Sequence, residues 1–196
     1  MRVLEQVIQA NKAFLEKRAA DNSEYQLAIS KIPTKNLVIF TCMDTRLVDF
    51  LEPALGIERG AAKVIKNAGN TITGMFHSSI RSLLVAIFEL DVKEIMVIGH
   101  YDCGIAHATA TGMIAKMLDR GICPGVIKMI EKDLEAWLDG FHHPVENVEN
   151  VVWQIRTNPL IPCDVPIHGL MFEPHTGEIE VVISGYDNDR EQDCIC

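Results

Sequence analysis

The chain has 196 residues, 48% of them hydrophobic and 23% charged, with a formal net charge of −9. One ordinary domain fits that length and buries roughly 70% of its unfolded surface, so no disulfide is needed for stability. The acidic balance argues against nucleic-acid or anionic-membrane partners, and no apolar run nears the ~20 residues of a membrane span.

Residues 1–20 read as a helix, because Leu4, Val7, Ile8, Phe14 and Leu15 recur at helical spacing. Glu5 and Gln6 interrupt the first hydrophobics. That is not the pattern of a secretory signal, so a cytoplasmic location with reduced thiols is expected. The polar segment 21–36, which contains Pro33, reads as connection. The apolar run 37–40 predicts a strand buried on both faces. A helical stretch follows over 47–55 and closes near Gly56. Residues 62–66 predict a second buried strand, which runs into Asn67-Ala68-Gly69-Asn70. A long helix is expected over 75–90, with Phe76, Ile80, Leu83, Leu84, Ile87 and Phe88 on its apolar face. The run 95–98 predicts a third buried strand, ending at Gly99.

Helices are expected over much of 104–157, with breaks around 121–124 and 140–144. A closing hairpin fits 166–172 and 178–183, turning through Pro174-His175-Thr176-Gly177. Buried strands alternating with helices give an α/β fold with a central, mainly parallel β-sheet flanked by helices. An N-terminal helical arm and connection (1–36), an α/β core (37–183) ending in the β-hairpin, and a tail (184–196) make up a single domain, 1–196.

Two segments follow predicted strands and carry the chemistry: Cys42-Met43-Asp44-Thr45-Arg46 and His100-Tyr101-Asp102-Cys103-Gly104. Sites in open α/β sheets lie past the carboxyl ends of the strands, so these distant segments can converge. Together they offer two thiolates and one imidazole, a ligand set suited to zinc. Three protein ligands with an open fourth position make a catalytic rather than a structural zinc site. His100 and Cys103 have the i, i+3 spacing of a tight turn, and a helix after Cys103 would favour its thiolate. Asp44 is close enough in the chain to serve as a base, with Arg46 holding it ionised in a forked pair.

Each residue alone has a plainer reading. Either cysteine can be a small buried hydrophobe, Asp102 can cap a helix, and Asp44–Arg46 can be a surface ion pair worth little. The joint occurrence at two strand ends favours the metal.

These residues resemble the β-class carbonic anhydrases, which carry a CxDxR segment and a later HxxCG segment, here CMDTR and HYDCG. KNAGN at 66–70 is similar to the family's intermediate segment. IHGLMFEPHTGEIEVV at 167–182 resembles the closing hairpin of the shorter, archaeal-type branch, so the likeness runs from about residue 37 to 183. It implies one zinc ion per chain on Cys42, His100 and Cys103, with Asp44 and Arg46 as the dyad beside the solvent position. It also implies zinc-hydroxide attack on carbon dioxide, giving bicarbonate and a proton, and a homodimer or dimer-based oligomer with the helical arm lying on a partner subunit. In some members the aspartate ligates zinc at low pH. Ile39 and Lys66 stand where some relatives have a tryptophan and an arginine for a second, inhibitory bicarbonate site, so none is expected here. Ala68, Gly69 and Ile105 are candidates for the pocket wall or for core packing.

His107 reads as a polar helix-face residue that could alternatively relay protons. His142 and His143 read as solvated, and His77, His168 and His175 as structural. Cys123 and Cys163 read as buried or idle thiols, and Cys194 and Cys196 as part of a frayed tail, with a metal clip or redox pair as the alternative. Two alternatives to carbon dioxide hydration stay open: carbon disulfide hydrolysis on the same site, and a zinc-binding or regulatory protein without turnover.

Overall fold

β1 (Leu37–Cys42), β2 (Ala62–Asn67), β3 (Glu94–His100), β4 (Ile167–Phe172) and β5 (Ile179–Ile183) form one sheet in the order β2-β1-β3-β4-β5. The pairs β1–β2, β1–β3 and β3–β4 are parallel, and β4–β5 is the antiparallel hairpin. This computed structural model describes residues 2–20, 30–139, 141 and 143–187. The chain divides into two compact units, Met1–Ser30 and Lys31–Cys196.

The first unit holds α1 (Val3–Ala20), the expected helix. Its apolar residues Val3, Leu4, Val7, Ile8 and Leu15 are all exposed.

In the second unit, strand alternation sorts side chains into two layers. Val38 and Phe40 of β1, with Ile95 and Val97 of β3, pack with α3 (Ser78–Leu90) and α6 (Pro144–Arg156). Leu37 and Ile39 pack instead with Leu47, with Leu51 of α2 (Leu51–Ala54), and with Phe172. β1 and β4 are buried along their whole length, Thr41 and His168 being the polar side chains they enclose. The expected breaks fall between α4 (Ala110–Asp119), α5 (Pro124–Leu138) and α6. A proline opens both α5 and α6, where its missing N–H costs nothing.

Three expectations need correction. The stretch 47–55 is not one helix: a 3-10 turn (Thr45–Leu47) precedes the four-residue α2, and Asp49 adopts a left-handed conformation between them. The segment 62–66 is a strand but not a buried one, because β2 is the sheet edge and Val64 and Lys66 lie exposed. α3 begins only at Ser78, so Phe76 precedes it, and Phe88 faces solvent. Ile80, Leu83 and Ala86 carry its buried face.

α6 lies close against β3 and β4. A Cβ on Gly99 would sit 2.5 Å from Val148 Cγ2 and 3.0 Å from Met171 Sδ. Glycine there lets a helix approach the strand that carries His100. Gly99→Ala should therefore cost about 1–3 kcal/mol by overpacking, read as a lower urea midpoint with unchanged slope. Adding Val148→Ala should recover part of the loss.

Candidate metal centre

The β1–β3 pairing aligns Thr41 with Ile98, so the next residues of both strands emerge side by side. The buried Thr41 hydroxyl donates to the Ile98 carbonyl at 2.8 Å and ties the strand ends together. Cys42 ends β1, His100 ends β3, and Cys103 precedes a 3-10 turn (Gly104–His107). Their ligand atoms lie within 4.8 Å of one another, and all three residues are buried.

The donor set fits zinc on two counts. The Cys42 and Cys103 sulfurs are 3.8 Å apart, and two zinc–sulfur bonds of about 2.3 Å meeting near the tetrahedral angle span about 3.8 Å. His100 Nδ1 donates to the Tyr101 carbonyl at 2.9 Å, which leaves the Nε2 lone pair facing the sulfurs. That buried Nε2 has no hydrogen-bond partner. A buried polar atom without a partner is costly, and a metal ion would remove the cost.

Asp44 caps the turn after β1 by accepting from the Arg46 backbone N–H at 2.9 Å. Its Oδ1 also accepts from Arg46 Nε at 3.0 Å, and its Oδ2 from Arg46 Nη2 at 2.9 Å. The pair is therefore the expected fork. Asp44 Oδ2 stands 3.8 Å from His100 Nε2.

Residues 37–179 match the protein-family model described as carbonic anhydrase. The chain aligns with the crystal structure of the β-carbonic anhydrase isoform I, TvaCA1, of Trichomonas vaginalis at 45% identity. The TM-score is 0.89, over 95% of this chain and 100% of that one. The chain belongs to the β-carbonic anhydrase family. YvdA of Bacillus subtilis, whose name carries carbonic anhydrase as a provisional assignment, is 43% identical over 163 residues, 82% of this chain and 83% of YvdA. A carbon disulfide hydrolase of an Acidianus strain is 31% identical over 157 residues, 72% of this chain and 74% of that protein.

The electrostatics of this β-carbonic anhydrase centre favour a cation. The Cys103 thiol donates to Cys42 and, with the His100 ring and the Gly69 N–H, lowers the Cys42 pKa to about 4 against the opposing effect of burial. The same hydrogen bond, with burial, raises Cys103. The helix expected to favour the Cys103 thiolate is only a four-residue 3-10 turn, although the Ile105 backbone N–H does act in that direction. Burial works against a proton on His100, yet the Cys42 thiolate and Asp44 outweigh it and raise its pKa. Asp44 is held down at about 2, chiefly by the Arg46 side chain.

Gly69 supports the cluster directly. Its N–H points at Cys42 Sγ at 3.4 Å, and its φ of +69 is one that glycine adopts without strain. A Cβ there would lie 2.7 Å from Ile105 Cγ2. Gly69 and Ile105 therefore pack face to face beside the sulfurs, whereas the Ala68 carbonyl accepts from Thr71 Oγ1.

Two contributors escaped the sequence reading. Asp102 pairs with Arg46 rather than capping a helix, and Asn147 of α6 donates to the Gly69 carbonyl at 3.1 Å. Asp102 was within reach because it stands between two ligands; Asn147 left no signal.

The remaining candidates lie apart from the cluster. His107 is exposed, 3.8 Å from Asp102. His77 pairs with Thr73. His143 and His175 are exposed. His168 is buried, accepts from the Gly185 N–H, and lies 3.0 Å from Glu94. Cys123 is a free thiol but exposed rather than buried. Cys163, expected as a buried or idle thiol, is instead disulfide-bonded, on the exposed turn before β4. His142, Cys194 and Cys196 lie outside the described residues.

The unequal thiols give a direct test. In metal-stripped protein, ultraviolet absorbance should register a Cys42 thiolate at neutral pH that disappears as pH falls through about 4. Cys42→Ser should abolish that step. Cys103 should remain a thiol well into the alkaline range.

Proposed function

We propose that this chain catalyses the reversible hydration of carbon dioxide to bicarbonate and a proton, with one zinc ion per chain held by Cys42, His100 and Cys103. The observation that carries the reading is the convergence of three buried donors, one of them the orphaned His100 Nε2, beside a fixed carboxylate. A bound zinc would supply a Lewis acid that makes a coordinated water more acidic and so a better nucleophile, though less so with two thiolate ligands than with three imidazoles.

The chain's own residues do the rest. Asp44 Oδ1 is committed to two Arg46 donors, the backbone N–H and Nε, while Oδ2 accepts from a third, Nη2. Oδ2 therefore keeps a lone pair on the side toward His100, where it can accept a hydrogen bond from the nucleophile and turn it toward the substrate carbon. Arg46 keeps Asp44 ionised, so this acceptor persists across the working pH range. Gly69 and Ile105, which pack against each other, offer apolar surface suited to a small uncharged gas, with Ala68 next to Gly69 in the chain a further candidate for that wall.

Carbon disulfide hydrolysis is the second reading, motivated by the likeness to the Acidianus enzyme and by a donor set that does not itself distinguish the two substrates. A silent zinc-binding protein is disfavoured, since it has no need of a carboxylate locked in a fork.

Stopped-flow hydration with metal analysis tests the proposal. Wild type and Asp44→Asn should both hold about one zinc per chain, and the variant should lose about a hundredfold or more in kcat. A zinc-loaded wild type that turns over carbon disulfide but not carbon dioxide would select the second reading. Inactivity on both substrates would leave only binding.

We further propose a homodimer. The exposed Val3, Leu4, Val7, Ile8 and Leu15 of α1 support it, as does the open edge of β2, since both are features that a second copy can cover. Light scattering should give about twice the 21.8 kDa chain mass, and Leu4→Asp/Ile8→Asp should move the protein toward monomer.

Among the described residues no helix is long and apolar enough to cross a membrane. A cytoplasmic setting suits the reduced Cys42 and Cys103 that this chemistry needs. The disulfide at Cys163 is the one observation that pulls the other way.

A further inference from the structure

We propose that Asp102 is a positioning residue. It fixes the Arg46 guanidinium across the two ligand-bearing loops and, through Arg46, sets the direction of the Asp44 carboxylate. The inference rests on the hydratase reading of the site.

The guanidinium carries five N–H donors in a rigid planar fork. One edge, Nε and Nη2, meets Asp44 at 3.0 and 2.9 Å. The opposite edge belongs to Asp102: Nη1 donates to its Oδ2 at 2.8 Å, and Nη2 to its backbone carbonyl at 2.7 Å. Asp44 follows β1 and Asp102 follows β3, so Arg46 joins the loop of Cys42 to the loop of His100 and Cys103. Asp102 holds a left-handed conformation, φ +52, an uncommon and mildly strained state outside glycine and asparagine-like residues.

Asp44 alone would not fix the pair. With the Asp102 contacts removed, Arg46, whose side chain is 31% exposed, could swing together with Asp44 about the loop after β1. The fork would survive while Oδ2 lost its direction. Held from two sides at once, the planar group has one orientation and so does the carboxylate bonded to it. The Asp102 side chain is 66% exposed, so its charge is well screened and its ion pair contributes little to folding. Its effect is therefore geometric and should appear in kcat rather than in stability or substrate affinity.

The test uses zinc-loaded protein. Asp102→Gly keeps the left-handed backbone and the carbonyl but removes the side-chain acceptor; Asp102→Asn keeps all three. The expected result for Asp102→Gly is a kcat lowered about tenfold with KM nearly unchanged, because small misorientations cost rate steeply. Asp102→Asn should restore most of the rate. In 15N NMR the Arg46 Nε–H should be rigid in wild type and Asp102→Asn, and mobile in Asp102→Gly. A general weakening of the fold would not confine new motion to that group.

Unchanged kcat, or an Arg46 Nε–H that stays rigid in Asp102→Gly, overturns the proposal. If Asp102→Gly does not fold, Asp102→Glu displaces the acceptor by one methylene and faces the same two measurements. A wild type without hydratase activity would defeat the functional reading, while the Arg46 dynamics would still decide whether Asp102 positions the pair.

Discussion

The parallel pairing of β1 with β3 is the constraint on which the centre depends. The chain leaves β1, forms β2 on one side, and returns through α3 to lay β3 on the other. Connections therefore diverge above the β1–β3 boundary, and a crevice opens between them. Only in that crevice can a residue at position 42 meet residues at 100 and 103. Burial then sets the terms. Two sulfurs and an imidazole enclosed together, with the imidazole's lone pair unmet, form a polar cluster that the surrounding protein does not satisfy. The sharing of one proton between Cys103 and Cys42 relieves this only in part, and the raised affinity of His100 for a proton marks the same demand for positive charge.

Legibility in the sequence follows from how local each cause is. β1 and β3 were readable because strands covered on both faces must be apolar at successive positions, as 37–40 and 95–98 are, whereas β4, which includes His168, was readable from its place in the closing hairpin. The same rule misjudged β2: its Ala-Lys-Val-Ile-Lys run resembles a buried strand, but edge position is decided by topology. Helical spacing identifies an apolar stripe but not where the helix begins, and α3 starts two residues past Phe76; nor does it say which apolar residues a neighbour covers, and Phe88, inside α3, faces solvent.

At the centre itself, Cys42, His100, Cys103, Asp44 and Arg46 were visible because ligand types and short spacings are local properties. The supports were not. Asn147 reaches the Gly69 carbonyl across 78 residues of sequence, and nothing in its neighbourhood announces a partner. Asp102 sits inside the ligand motif, yet its use depends on a left-handed backbone angle and on an arginine from the other loop. Cys163 shows the same limit, since composition cannot say which exposed thiol is oxidised.

Charge balance explains why the supports matter. In the proposed site two thiolates neutralise a divalent zinc, and Asp44 is neutralised by Arg46. No net positive charge remains to pull protons from a bound water, and thiolates donate more electron density to the metal than imidazoles do. Such a site gains less acidity from its metal and must rely more on a well-aimed acceptor. That shifts the burden of catalysis from the ligands to the direction of one carboxylate oxygen. A direction is fixed only by contacts on more than one side. The structure supplies them through an arginine gripped at both edges and through the Gly69 amide, which donates to the sulfur of Cys42, two residues before Asp44. The two loops are thus tied to each other around the proposed metal position, the kind of support that preorganised electrostatic catalysis requires.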